Sequence, residues 1–352
     1  MRTRIFRSPR SRYYEDDVLA APDVYDDGHL AEIASHGFNA VWLRGRLRDL
    51  ARTATLDELG ADAARRQDAL NRLCRRAETH GVRVFLYLNE PLAFPADDPF
   101  WQRRAELRGV AGSSFMDGWD HTFALCTSHP TVRDFLRQAA EGLFAACPQL
   151  AGAFLITRSE HHTHCYSHRD EVDCPRCRRR QLAEVVAEVV NTIADGAWAA
   201  RPDAEIIAWN WSWGPQDERI LAALHPRVVL LADFERGGWK TIAGRQRWLD
   251  EYSLSCVGPS EQFVRLHGLA RRSGRAVYAK LQVGTTHEIA TVVNLPLVGN
   301  LLEKVRWLRE HDVAGTLACW NFGNCLSLNT HAFGRLLAAD LSRPAGELLE
   351  EL

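Results

Sequence analysis

Short apolar runs alternate with longer amphipathic stretches along the chain from about residue 29 onward. An alternation of this kind is typical of βαβ units, in which parallel strands pair and helices cover them. The pattern predicts eight strands, at residues 38–43, 82–88, 123–127, 152–157, 205–210, 228–234, 276–281 and 315–320. The third of these runs is the weakest strand candidate.

Amphipathic stretches between these runs predict helices. They cover residues 61–80, closed by Gly81, then about 132–145, with Thr131 as the N-cap, and about 178–200. Eight strands with intervening helices, spread over about 290 residues, favour a (β/α)8 barrel, an α/β fold. A doubly wound sheet that binds a nucleotide would need a glycine-rich turn after an early strand, and neither GxGxxG nor GxxxxGK[ST] occurs.

No internal repeat or Gly/Ser linker divides the chain. Residues 1–352 are therefore predicted to form one TIM-barrel domain, with barrel strands from about residue 38 to about residue 320.

Charge and composition narrow the classes of partner. The 43 Lys and Arg residues nearly balance the 45 Asp and Glu residues, so the chain lacks the positive field that attracts nucleic acid. No apolar stretch approaches the roughly 20 residues that span a bilayer. The basic N-terminal segment lacks the apolar core of a secretory signal, and nine cysteines do not resemble the disulfide frame of a small secreted domain. We expect a cytoplasmic protein, and the sequence leaves open whether it forms a homo-oligomer.

The chemistry of a (β/α)8 barrel lies at the carboxyl ends of its strands, so the residues that follow each apolar run are the candidates. The predicted substrate-binding residues are Arg44, Asn89, Glu90, His161, Trp209, Trp211, Lys280, Gln282, Trp320 and Asn321. Six of the 11 Trp residues lie at or just beyond this rim, namely Trp42, Trp209, Trp211, Trp213, Trp239 and Trp320. Indole rings stack on the apolar face of a sugar, which predicts a small carbohydrate or glycoside as ligand. Trp is also a common core residue, and that alternative stays open.

Cleavage of a glycosidic bond needs one carboxylic acid to protonate the leaving oxygen and a second group at the anomeric carbon. Glu160 is the predicted general acid, because it follows a strongly apolar strand, and a salt bridge to Arg158 or another Arg is the structural alternative. Candidate partners are Glu90 and the three further predicted catalytic residues Asp233, Glu235 and Glu288. A carboxyl separation of about 5 Å would imply retention, and about 6.5–9.5 Å inversion.

Three blocks of the sequence carry a resemblance to a known family. They span residues 125–177, 209–213 (WNWSW) and 318–324 (ACWNFGN), and they resemble bacterial barrel proteins related to family 20 glycoside hydrolases, the β-N-acetylhexosaminidases. The resemblance implies a (β/α)8 catalytic domain, Glu160 as general acid, and Arg44 as a residue that holds sugar hydroxyls. It also implies an aromatic wall built from Trp209, Trp211 and Trp320.

One position departs from that family, which carries an Asp-Glu pair where this chain has Ser159-Glu160. The family's Asp orients the substrate's own acetamido group as the nucleophile, and Ser cannot supply its charge. Either another carboxylate, Asp233, Glu235 or Glu288, takes the role, or an enzyme carboxylate attacks directly.

A loop rich in Cys and His follows Glu160. Cys165, Cys174 and Cys177, together with His164, are predicted ligands of a structural zinc, with three reduced buried thiols as the alternative. A catalytic zinc is a further alternative. The remaining cysteines, Cys126 among them, are interpreted as packing residues.

The leading hypothesis is an exo-acting intracellular glycosidase for a small β-glycoside or amino-sugar glycoside, with no cofactor required for catalysis. The alternatives are a zinc-dependent hydrolase that uses the Cys/His loop and His129, and a sugar-binding protein on an inactive glycosidase scaffold.

Overall fold

Eight parallel strands close into a barrel in the computed structural model, which describes residues 1–284, 295–321 and 324–352. The strands of the described residues are β1 (Thr3–Phe6), β2 (Ala40–Gly45), β3 (Arg83–Leu88), β4 (Phe94–Pro95), β5 (Arg108–Ser114), β6 (Trp119–Leu125), β7 (Gly152–Ile156), β8 (Glu205–Trp209), β9 (Val229–Asp233), β10 (Gly238–Ile242), β11 (Arg245–Leu249), β12 (Val277–Leu281) and β13 (Gly315–Ala318).

Helices follow the barrel strands and cover their outer face. They are α1 (Asp17–Val24), α2 (Asp27–Ser35), α3 (Leu47–Leu50), α4 (Ala63–Thr79), α5 (Phe100–Arg103), α6 (Pro130–Ala146), α7 (Leu182–Ala200), α8 (Asp217–Ala223), α9 (Glu261–Arg272), α10 (Val298–Glu310), α11 (Leu328–Ala338) and α12 (Ala345–Glu350). Within the described ranges, no helix is both long and apolar enough to cross a bilayer.

The barrel contains β1, β2, β3, β7, β8, β9, β12 and β13 in chain order, and β13 pairs with β1 to close it. The predicted (β/α)8 fold is thereby confirmed. Side chains alternate between two apolar clusters: along β2, Trp42 points into the barrel, while Val41 and Leu43 pack against the helices. This is the period of two expected for a strand that is buried on both faces.

One predicted barrel strand is wrong, and one barrel strand was missed. The run over residues 123–127 belongs to the end of β6, which lies in a three-stranded antiparallel sheet (β4-β6-β5) inserted between β3 and α6. The first barrel strand is instead Thr3–Phe6, so the barrel begins near residue 3 rather than near residue 38. This strand has only two apolar residues, Ile5 and Phe6, and arginines on both sides of them hide its pattern.

The observed helix bounds agree with prediction more closely than the strands do, except at one N-cap. α4 and α7 lie within the predicted stretches 61–80 and 178–200, and a capping box between Gln181 and Glu184 opens α7. The helix predicted at about 132–145 begins at Pro130. His129, and not Thr131, is its N-cap, because the His129 side chain accepts a hydrogen bond from the backbone of Thr131 at 3.2 Å.

Candidate functional site

Aromatic side chains fill the barrel at the carboxyl ends of its strands. The ring of Trp320 lies at the centre of this group, with centroids 4.6 Å from Trp42, 5.1 Å from Tyr87 and 5.0 Å from Trp209. Trp42, Tyr87 and Trp209 are almost fully buried, whereas Trp320 is half-buried. Trp320 therefore forms the top of the aromatic layer and presents the surface that a ligand can reach.

A cavity of about 190 Å³ opens above this layer, and we call it the mouth cavity. It is lined by Tyr13, Tyr14, Tyr87, Met116, Ile156, Glu160, His161, Trp211, Glu251, Tyr252, Trp320 and Asn321. Its volume is below the roughly 300 Å³ at which pockets for drug-sized molecules begin. As far as the described residues enclose it, the mouth cavity suits a single small ring.

The rim tryptophans divide into two groups. Trp211 and Trp320 line the mouth cavity. Trp213 instead packs in the outer cluster and donates from Nε1 to Thr157 Oγ1 at 3.2 Å. Because β8 ends at Trp209 and the backbone turns at Ser212, which has a φ of 55°, Trp213 lies outside the inner cluster that contains Trp209 and Trp211. Trp239 is exposed on the β10-β11 hairpin.

Glu160 lies at the edge of the mouth cavity with an exposed side chain. The alternative of a salt bridge from Arg158 is wrong, because the Arg158 guanidinium pairs with Asp170 at 2.8 Å. Ser159, at the position where the resembled family has Asp, is buried, and its Oγ accepts a hydrogen bond from the backbone of His161 at 3.2 Å. The Ser159 hydroxyl therefore shapes the loop instead of facing a ligand.

The second carboxylate that lines the mouth cavity is Glu251, which the sequence analysis missed. It follows the β10-β11 hairpin, directly before the buried Tyr252. Burial raises the pKa of Tyr252 well above its usual value, and the negative charges of Asp233, Glu251 and Glu160 raise it further. Tyr252 is thus within electrostatic reach of three carboxylates, one at the end of β9 and two on separate loops.

A network of four side chains supports one wall of the mouth cavity, and we call it the His161 network (Tyr13, Arg44, Asp117 and His161). Asp117 Oδ2 lies 2.7 Å from His161 Nδ1, and Asp117 Oδ1 accepts from Arg44 at 2.8 Å. Tyr13 Oη lies 3.1 Å from His161 Nε2. Burial alone would raise the pKa of Asp117, but the hydrogen bond from His161 and the charges of His161 and Arg44 hold it well below its usual range.

Arg44 therefore has a different position from the one expected. Its guanidinium is engaged by Asp117, and it lines an adjacent cavity of about 210 Å³ that shares Tyr14 and Met116 with the mouth cavity. Tyr13 follows the missed strand β1, and burial raises its pKa to about 12, so it remains a protonated hydrogen-bond donor at neutral pH. Recognition of Thr3–Phe6 as a strand would have made Tyr13 and Tyr14 candidates.

Asp233 and Lys280 are buried neighbours outside the lining of the mouth cavity, at matching positions of β9 and β12, and Asp233 Oδ2 lies 3.7 Å from Arg236. Burial raises the pKa of Asp233 to about 6 against the opposing charges of Arg236 and Lys280, and Trp209 Nε1 donates to Asp233 Oδ1 at 2.9 Å. Burial also lowers the pKa of Lys280 to about 8, and its Nζ lies 3.6 Å from the ring centroid of Tyr252. These two residues support Trp209 and Tyr252 from below.

Other predicted site residues hold the structure together around the barrel mouth. The buried Glu235 accepts from Lys304 Nζ at 2.5 Å and from the backbone of Gln282 at 3.1 Å. Glu90 accepts from the backbone of Leu47 at 2.6 Å, and burial raises its pKa to about 7. Neither carboxylate lines the mouth cavity. Glu288 lies outside the described residues.

Two predicted binding amides differ in position. Asn89 is buried below the mouth cavity and donates to the Tyr87 hydroxyl at 2.7 Å. Asn321 lines the cavity, and its Oδ1 has no hydrogen-bond partner in the described part of the chain. Because that oxygen is itself buried, Asn321 stays a candidate binding residue only through its position in the cavity lining.

Three of the four predicted zinc ligands lie close together in the structure. The Sγ atoms of Cys165, Cys174 and Cys177 lie within 4.8 Å of one another, and the fourth member of the group is Cys126, which was interpreted as a packing residue. His164, the predicted fourth ligand, is not in the group. Its Nδ1 instead accepts from the backbone of Tyr166 at 3.1 Å.

Comparisons with known proteins find solved structures with a similar barrel, but no sequence family that matches this chain. No protein-family model and no curated protein matches the chain. An α-L-fucosidase from Paenibacillus thiaminolyticus is 13% identical with a TM-score of 0.55, covering 96% of this chain and 49% of its own. This chain thus spans about half the length of that enzyme.

Two further solved structures are similar. A family 5 glycoside hydrolase from Prevotella bryantii, determined with a xyloglucan oligosaccharide, is 9% identical with a TM-score of 0.54 and 95% of each chain covered. A family 5 enzyme from Streptomyces cattleya, in complex with GlcNAc, is 14% identical with a TM-score of 0.54, covering 99% of this chain and 80% of its own. At these identities the similarity shows a shared barrel fold, and the resemblance to family 20 stays a prediction.

Proposed function

We propose that the protein is a glycoside hydrolase that removes a single sugar unit from the end of a small glycoside, with Glu160 as general acid/base. The observation that carries this proposal is the mouth cavity, where Glu160 and Glu251 border a hollow walled by Trp211, Trp320 and Tyr252. Aromatic rings bind the apolar face of a sugar, and paired carboxyl groups are the usual equipment for glycosidic cleavage.

Glu160 has the accessibility that proton transfer to a leaving group requires. Its side chain is exposed at the cavity edge, and the neighbouring Arg158 is occupied by Asp170. In the proposed reaction the Glu160 carboxyl gives its proton to the glycosidic oxygen as the bond to the anomeric carbon breaks. Because the cavity volume is only about 190 Å³, we infer that one sugar ring enters and the leaving group stays outside.

Glu251 is the proposed second carboxylate. As a base it would take a proton from the attacking water, and as a nucleophile it would form a glycosyl intermediate, depending on its separation from Glu160. This assignment replaces the earlier candidates Asp233 and Glu235, since neither lines the cavity and Glu235 is held by Lys304.

The His161 network is proposed to position the wall that the sugar contacts. Asp117 holds His161, and His161 in turn holds the Tyr13 hydroxyl at the cavity lining. A fixed hydroxyl at that place can bind a sugar hydroxyl without paying the entropy of its own ordering.

Kinetics on aryl glycosides test the proposal. One similar structure was obtained with GlcNAc, so aryl N-acetyl-glucosaminides belong in the first panel beside plain β-glycosides. For Glu160→Gln we expect turnover to fall by about 10²–10⁴-fold with a poor leaving group. The loss should be much smaller with dinitrophenolate, which leaves without protonation. Glu171→Gln, an exposed carboxylate on the same loop, is the matched control and should keep full activity.

Two results would contradict the proposal. Full turnover of Glu160→Gln on a poor leaving group would remove Glu160 from the chemistry. Tight binding of sugars with no hydrolysis across the panel would favour a carbohydrate-binding protein on this barrel.

A further inference from the structure

Four cysteine side chains from two separate parts of the chain meet at one buried point, and we call them the thiol cluster (Cys126, Cys165, Cys174 and Cys177). Their Sγ atoms all lie within 4.8 Å of one another, and Cys126 Sγ is 3.6 Å from both Cys174 Sγ and Cys177 Sγ. We propose that the thiol cluster binds one zinc ion, which fastens the loop that carries Glu160 to the antiparallel sheet beside it.

The distances between sulfur atoms agree with a single tetrahedral ion. Zinc–sulfur bonds of about 2.3 Å in a regular tetrahedron place neighbouring sulfur atoms about 3.8 Å apart. A disulfide would bring one pair to about 2.05 Å, and all four cysteines are free thiols. A cluster of several iron atoms would separate the sulfurs further, because iron and sulfide ions would lie between them.

A glycine beside the thiol cluster leaves space for the Cys165 sulfur that any larger residue would occupy. Gly109 lies on β5, and a Cβ atom added there would lie 2.5 Å from Cys165 Sγ and 3.1 Å from the carbonyl oxygen of Ala124. Such a contact would force Cys165 out of the cluster. A glycine at this point of the strand is therefore required for the sulfur to reach its place.

Polar groups around the cluster suit a metal thiolate with excess negative charge. Four thiolates and one Zn²⁺ carry a net charge of −2, which needs compensation in a buried site. Arg176 Nε donates to Cys126 Sγ at 3.1 Å, and the Ser128 hydroxyl lies 3.3 Å from Cys177 Sγ. Arg180 in turn donates to Ser128 Oγ at 3.1 Å. Donors around the ligands stabilise thiolates and fix their orientation.

With four protein ligands the site is closed, so the proposed ion has a structural role and cannot bind a water for hydrolysis. Cys126 directly follows β6, and the other three ligands lie on the loop between β7 and α7. Asp117 precedes β6, at the opposite end of that strand from Cys126, and His161 is on the same loop as the other three cysteines. The side chains of Asp117 and His161 meet at 2.7 Å. Zinc at the thiol cluster would therefore hold together both sides of the His161 network.

Metal analysis of the full chain, purified without chelators, tests the proposal. We expect about one zinc per chain in the wild type, and a fall of at least about fivefold in Cys126→Ser. Cys147→Ser removes a buried thiol outside the cluster and should keep the wild-type zinc content. In the wild type, titration of thiols with an organomercurial should release zinc in step with modification of the cluster, which keeps the test informative if Cys126→Ser does not fold.

The proposal is independent of the glycosidase proposal, because zinc content is measured without a substrate. It is overturned if the wild-type chain contains no stoichiometric zinc and takes up none from a zinc buffer, or if iron occupies the site instead. Equal zinc content in Cys126→Ser and Cys147→Ser would also overturn it. Cobalt exchanged into the wild type should show thiolate-to-metal charge-transfer absorption that Cys126→Ser lacks.

Discussion

The ion pair between Lys304 and Glu235 is fully buried and offers a sharp test of what holds the barrel mouth together. Lys304 lies on α10, and its Nζ donates to Glu235 Oε1 at 2.5 Å and to the backbone carbonyl oxygens of Ser253 and Gln282 at 2.8 Å and 3.1 Å. Both side chains have an exposed fraction of 0%. Lys304→Met keeps the length of the aliphatic chain and removes the charge.

Loss of one partner leaves the other charge buried and uncompensated, which typically costs about 3–5 kcal/mol of unfolding free energy. At about 2.1 cal/mol/K of unfolding entropy per residue, 352 residues give about 0.7 kcal/mol/K. The expected fall in the melting temperature of Lys304→Met is therefore about 4–7 °C. The double variant Lys304→Met with Glu235→Gln removes both charges and should recover a large part of this loss.

Urea denaturation and thermal melts measure these changes, and α10 supplies a matched control. The Arg306–Glu303 pair on the same helix is solvent-exposed at 3.0 Å, so Glu303→Gln should change stability by less than about 0.5 kcal/mol. If Lys304→Met costs less than about 1 kcal/mol, or if the double variant is no more stable than the single one, the reasoning about this buried pair is wrong.

Two further predictions concern stability. Burial raises the pKa of Glu90 from 4.5 to about 7, so its contribution is fully present below about pH 4.5 and is lost as the pH rises through 7. Urea denaturation should show the wild type losing about 3 kcal/mol relative to Glu90→Gln between these limits, and parallel pH profiles would contradict this. A Cβ at Gly315 would lie 2.7 Å from the buried ring of Tyr278, so Gly315→Ala should cost about 1–3 kcal/mol. Gly299→Ala in α10, where the added Cβ has no neighbour within 4 Å, should be neutral or stabilising in the same melts, and equal losses would refute the packing argument.

The sequence predicted seven of the eight barrel strands because each is an apolar run long enough to be visible. β1 was missed because arginines lie on both sides of its two apolar residues, and some of the groups that these arginines contact are distant in the chain. Arg4 donates to the carbonyl oxygens of Gly37 and Met1, and Arg7 pairs with Asp17 at 3.1 Å while stacking on Trp42. Local patterns cannot show that such charged residues flank a buried strand.

The thiol cluster shows the same limit of local sequence patterns, here for a candidate site. Three of its members are close in sequence, and their spacing predicted a metal site. Cys126 precedes Cys165 by 39 residues and arrives through the antiparallel insertion, which the sequence analysis had assigned to the barrel. The nearby His164 was chosen as fourth ligand because sequence proximity was the only guide.

The strand-end rule gives candidate residues at the carboxyl ends of the strands but not the direction of each side chain. Beyond the last paired residue the chain leaves the strand, and a carboxylate there can turn inward to the cavity or outward to the helices. Glu160 lines the cavity, whereas Glu90 turns to the first residue of α3 and Glu235 turns to α10. Each of the two outward carboxylates binds a neighbouring segment, the start of α3 or the middle of α10. Because a buried carboxylate must find a donor, Glu90 and Glu235 are held by Leu47 and Lys304, whereas Glu160 is exposed at the cavity edge.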